Sequence, residues 1–250
     1  MRHVMTLTLA IAAIAAACKH LPAANNLPVA SKTQQLLDQC ASQEKFTFIL
    51  FYRENDTKTQ QVANALNAGI AQRKDRAAIS FVNAKDPQEA AIVEKFGVSR
   101  SPMPLTIAVA PNGAITGVFP QTFQDASFEQ GMVTPAMSRC MKSMQQNHLV
   151  LLCACPNGTT AFPKAVADLK ADPHYANRIA VVAFNISDPA EARLLKQMEL
   201  ENTNSTTMVF MAPPGVTIGK YASHATAQQM ARDLVKAGKC CDNPNCPHNH

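Results

Sequence analysis

The stretch Lys239-Cys240-Cys241-Asp242-Asn243-Pro244-Asn245-Cys246-Pro247-His248-Asn249-His250 packs three cysteines and two histidines into 12 residues. Cysteines apart, it holds no apolar residue that needs a core. When reduced, three thiolates and an imidazole make a tetrahedral site for Zn²⁺ or a soft site for Cu(I). Cys240, Cys241, Cys246, His248 and His250 are therefore the candidate metal ligands. When oxidised, the same segment makes a disulfide clamp such as Cys241–Cys246, which an oxidising compartment favours. Its spacing matches no known metal site closely, and both readings stand.

Two further groups carry sulfur chemistry. Cys153-Ala154-Cys155 ends an apolar run, and strand alternation puts both thiols on one face. The plain reading is a pair of core thiols; the sharper one is a reactive or metal-binding pair, with Cys155 the more exposed. Met137-x-x-Cys140-Met141-x-x-Met144 has thioethers and a thiol that suit Cu(I), at a spacing that equally makes the apolar stripe of a helix. Elsewhere no nucleophile–base pair, phosphate loop or paired-carboxylate motif stands out.

The elements that must position these groups come from an internal repeat. Asn83–Gly117 aligns without a gap on Asn185–Gly219 at an offset of 102, with nine of 35 positions identical. A period of about a hundred residues means two copies of one domain, since solenoid repeats run roughly 20–50 residues. In each copy Asp86-Pro87-Gln88-Glu89 or Asp188-Pro189-Ala190-Glu191 opens a helix, with Asp at the N-cap and Pro at the first turn. Glu89 and Glu191 read as complements to the dipole of that same helix. A buried strand follows (Leu105–Ala110; Thr207–Ala212), then a turn (Pro111-Asn112-Gly113; Pro213-Pro214-Gly215) and a last short strand.

Upstream of the repeat, Lys32–Ser42 is helical, Phe46–Tyr52 a buried strand, Thr57–Gln72 a helix and Ala78–Asn83 a strand. A helix capped by Thr134-Pro135 closes the first copy. Leu149–Ala154, Thr160–Lys170, Ile179–Asn185 and a final helix Ala225–Ala237 complete the second. Each copy then reads β-α-β-α-β-β-α, an α/β unit with a mixed sheet and helices on both faces. The domains are 32–147 and 148–238, with the Cys/His tail at 239–250. The net charge of +5 is scattered. Its densest patch, Arg73-Lys74-Asp75-Arg76, lacks interleaved aromatics and reads as the solvated end of a helix, so nucleic-acid binding finds no support.

Residues 1–17 read as an export signal: Arg2, then 14 apolar or small residues from Val4 to Ala17, too few to span a bilayer. Ala15-Ala16-Ala17-Cys18 resembles the bacterial lipobox, which implies a diacylglycerol-modified Cys18 as lipid attachment point, although Ala15 stands where Leu is usual. Lys19 after the cysteine implies sorting to the outer membrane, facing the periplasm. Residues 18–31 read as a tether.

The order of elements resembles the thioredoxin fold over Lys45–Gly238. Its most specific token is Phe96-Gly97-Val98-Ser99-Arg100-Ser101-Pro102-Met103-Pro104-Leu105-Thr106, in which Pro104 falls at the family's cis-proline. The resemblance implies a groove there, packed near Asp56–Thr59. Copy two has Thr206 at the matching position. Catalytic members carry Cys-x-x-Cys where the first long helix begins, and the dipole there lowers the thiol pKa. Here Arg53-Glu54-Asn55-Asp56-Thr57-Lys58-Thr59 and Pro156-Asn157-Gly158-Thr159-Thr160 contain no cysteine. The resemblance therefore implies a non-catalytic scaffold for an envelope protein or peptide partner, like the non-catalytic domains of protein disulfide isomerases. The alternatives are Zn or Cu handling through the tail, and an atypical thiol oxidoreductase using Cys153/Cys155 or the tail cysteines.

Overall fold

Alternation along two central strands builds two cores on each of two sheets. The computed structural model describes residues 31–156, 162–201 and 205–238. Its first sheet is centred on β1 (Phe46–Tyr52), with parallel β2 (Ala77–Asn83) on one side and antiparallel β3 (Leu105–Val109) on the other. β4 (Ile115–Pro120) closes the order β2-β1-β3-β4. Phe48 and Leu50 face α2 (Thr57–Ala71) and α4 (Asp125–Gly131), where they meet Val62, Leu66 and Phe128. Ile49 and Phe51 face the opposite way, onto Ile92 and Val93 of α3 (Ala90–Lys95) and Leu37 of α1 (Lys32–Ser42).

The second sheet repeats this plan. β5 (Leu149–Cys155) is parallel to β6 (Ile179–Asn185) and antiparallel to β7 (Thr207–Ala212), and β8 (Val216–Ala222) lies outermost. The order β6-β5-β7-β8 is that of the first sheet. α6 (Lys164–Ala171) and α8 (Ala227–Ala237) cover one face; α5 (Pro135–Gln145) and α7 (Ala192–Gln197) cover the other. Both units thus have the mixed four-stranded α/β architecture expected of a tandem thioredoxin-like chain.

Three expectations need correction. The helix at Pro135–Gln145 does not close the first unit: its Ala136, Cys140 and Met144 lie in one core with Val150, Leu152 and Val209 of the second sheet. It stands to β5 as α1 stands to β1, and by packing the second unit begins at Thr134 rather than at residue 148. The helix that closes the first unit is α4, whose Gln124 and Ser127 exchange capping hydrogen bonds. Arg73 is not solvated. It is 8% exposed, donates to Asp125, Glu129 and the Gly69 carbonyl, and its guanidinium carbon lies 4.9 Å from the centre of the Phe128 ring.

The Asp-Pro-x-Glu repeat also does more than open a helix. Asp86 and Asp188 do cap their own 3-10 turns, accepting from the N–H groups of Gln88 and Ala190. Glu191, however, is buried and accepts from the Ala136 N–H at 2.7 Å, in the first turn of α5. Glu89 does the same for Thr33 in α1, at 3.4 Å. In each unit the acid of the motif caps a helix about 55 residues upstream, where the exposed N–H groups and the dipole favour negative charge.

Candidate functional site

The end of β1 sets the first candidate site. Five consecutive buried residues anchor the strand, and the chain then leaves through Arg53 toward α2. Asp56 caps that helix, accepting from the Thr59 N–H at 2.8 Å, and this bond holds its carboxyl below the ordinary range. The Thr59 hydroxyl donates to the Glu54 carbonyl at 2.9 Å and is buried. Asp56 and Thr59 are therefore joined to each other, as a fastened helix start. Arg53 locks the facing loop. Its guanidinium donates to the carbonyls of Ser99 at 2.6 Å and Ser101 at 3.2 Å.

That loop leads into a cis Met103–Pro104 bond, as the resemblance implies. The Pro104 carbonyl accepts from the Gln121 N–H at 2.7 Å, so Pro104 is fixed from the far side by the end of β4. Met103 stays half-buried beside it. A second cis bond, Pro213–Pro214, lies in the β7–β8 turn, where the sequence reads only a turn. Thr206, at the position that matches Pro104, has no cis bond before it.

The described thiols are set in the core. Cys40, Cys140, Cys153 and Cys155 are all free and all buried. Burial pushes Cys153 up to about 12, with the neighbouring Cys155 and Cys140 adding to the effect. Cys140 is likewise pushed up to about 12 by burial, against a smaller downward pull from Arg139. Cys155 is raised by burial and partly lowered by a hydrogen bond with Thr206. A thiol attacks only as its thiolate, so burial works against reactivity at Cys140, Cys153 and Cys155. Cys155 is the more exposed of its pair only marginally, at 2% against 0% for Cys153, and neither is accessible because α6 and α8 cover the face to which both point.

Cys18 and the tail residues Cys240, Cys241, Cys246, His248 and His250 lie outside the described residues. Among the described residues no group of three or more His, Cys, Asp or Glu is placed to hold a metal ion. No described helix is long and apolar enough to cross a membrane.

No family model matches the chain, nor does any curated protein. Similar solved structures include the NTD_N/C domain of alkylhydroperoxide reductase AhpF from Enterococcus faecalis, 14% identical, covering 81% of this chain and 96% of that one, with a TM-score of 0.30. The zinc-bound form of human ERp44 is 9% identical over 83% of this chain and 60% of its own, with a TM-score of 0.37. The first two thioredoxin domains of Saccharomyces cerevisiae Eps1p are 10% identical over 82% and 96%, with a TM-score of 0.31. Likeness at this level carries no activity, ligand or partner over to this chain.

Proposed function

We propose that the chain is a bacterial envelope lipoprotein, anchored through an acylated Cys18 to the outer membrane and facing the periplasm. Its thioredoxin-like units hold a protein or peptide partner without redox chemistry. The observation that supports this reading is the state of the two places where chemistry would occur. In the first unit Arg53 clamps the loop before Pro104 while Asp56 and Thr59 fasten the helix start, and no thiol is present. In the second, both strand thiols are sealed in the core. A clamped loop that leads into a cis-proline, with no nucleophile beside it in the sequence, suits recognition of an extended segment.

The test uses a carboxymethylated, thiol-free unfolded polypeptide carrying a fluorophore, titrated with the full chain and followed by anisotropy. Binding that weakens at least tenfold in Met103→Asp, while the fold is kept by circular dichroism, supports the reading. Absence of binding, or equal binding by the variant, contradicts it.

A further inference from the structure

The first unit carries an internal control for the methionines of the second. Met137, Met141 and Met144 of α5, Met198 after α7 and Met211 of β7 line one pocket of about 490 Å³. The turn Pro213-Pro214-Gly215 forms its rim. Five of the chain's eleven methionines therefore converge on one place. The corresponding hollow of the first unit is lined by Gln34, Asp38, Ala41, Phe96 and Val109, the repeat partners of those five at offsets of 103 and 102. There the hollow is knit by polar contacts. Gln34 donates to Asp38 at 2.7 Å and accepts from Lys95 at 2.9 Å, and Lys142 and Gln145 of α5 reach the Gly113 and Ile115 backbone. The fold thus requires no methionine at any of these five positions. The second unit has one at every one of them, and the pocket lining includes no carboxylate, imidazole or thiol.

We propose that this pocket is a thioether site for a soft monovalent cation of the Cu(I) class. Met137, Met141 and Met198, the partly buried members, are its ligands, and the buried Met144 and Met211 form its floor. Thioether sulfur is polarizable and uncharged, so it prefers Cu(I) or Ag(I) over Zn²⁺ and over hard cations. Methionine side chains are unbranched and flexible, so three that line one pocket can turn toward one ion. Cys140 packs in the same core but does not line the pocket and stays protonated, so it takes no part. Thioethers release no proton on binding, and affinity here is independent of pH. A Cys/His site weakens as its ligands protonate. The inference stands apart from partner binding at Pro104, and each can fail alone.

The experiment uses Ag(I), an air-stable stand-in for Cu(I), and the full chain with Cys240, Cys241 and Cys246 changed to Ser and His248 and His250 to Ala. Methionine methyl resonances are followed by NMR at pH 5.5 and 7.5. The expected result is one equivalent bound, with equal affinity at both pH values. The Met137, Met141 and Met198 methyls shift, while Met208 and Met230, in the opposite core, do not. Met137→Leu/Met141→Leu/Met198→Leu, which conserves volume and apolarity, keeps the circular dichroism spectrum and loses binding. Zn²⁺ shifts none of these methyls. Absence of methyl shifts, undiminished binding by the Leu variant, or affinity that falls at pH 5.5 would each overturn the proposal. A pocket that takes only an apolar protein segment gives the first of these results.

Discussion

Replacing Glu191 with Ala tests whether the repeated motif works by capping a distant helix. Glu191 is 2% exposed and its Oε1 accepts from the Ala136 N–H at 2.7 Å. A hydrogen bond to a charged group contributes about 1.5–3 kcal/mol. Its loss leaves an N–H at a fully buried residue with no acceptor, since the nearby Thr134 hydroxyl serves Met137 instead, at 3.4 Å. Against this, Glu191 Oε2 has no hydrogen-bond partner, and removing a half-satisfied buried carboxylate recovers about 1 kcal/mol of desolvation. The balance is a loss of about 2 kcal/mol, or roughly 4–8 °C in Tm for a chain of this size. Glu89→Ala provides the scale. Its bond is longer, at 3.4 Å, and the residue is more exposed, at 8%, so the loss should be about 1 kcal/mol. Urea unfolding of both variants gives the two values. Equal losses, or none for Glu191→Ala, would refute the capping argument.

Other outcomes follow from the same contacts. Gly69→Ala should destabilise despite a helix-propensity gain of about 1 kcal/mol, because a Cβ there would lie 2.1 Å from Cε2 of Phe128. That ring is pinned by Phe48 and Phe123, so overpacking of about 1–3 kcal/mol wins, and chemical denaturation reads the sign. Cys140 and Cys153 are protonated in the folded state up to about 12, while an unfolded thiol titrates near 8.5. Stability is therefore full below pH 8.5 and falls as pH rises toward 12, which unfolding at graded alkaline pH measures; a curve that is flat or rises across that window contradicts the burial. Cys18→Ser should release the protein from the membrane fraction. Identical partitioning of variant and wild type removes the anchor.

Strands were most legible where their apolar runs are long and their ends are marked by Pro, Gly or charge. β1, β6 and β7 match the sequence boundaries for that reason. α4 was not legible: Asp-Ala-Ser-Phe-Glu-Gln-Gly offers one large apolar residue, Phe128, and no period to detect. A periodic stripe says that a helix has a core face but not which sheet it meets, so the allegiance of α5 is visible only in the fold. The burial of Arg73 depends on Asp125 and Glu129, some 50 residues away, and on the aromatic cluster beneath it. Glu89 and Glu191 carried a usable signal, since the acid recurs at an offset of 102 while Ser31 and Thr134 recur as N-caps at 103. The methionine pocket was half visible. The helix stripe at 137, 141 and 144 is local, but only the fold brings Met198 and Met211 to it.

Insulin disulfide reduction by the full chain, with dithiothreitol as electron donor, bears most directly on the claim that these thioredoxin-like units bind without redox chemistry. The account predicts turnover no faster than dithiothreitol alone, because no cysteine stands at the start of α2 and the four described thiols are buried. Turnover well above that background which disappears in Cys153→Ala/Cys155→Ala would contradict it.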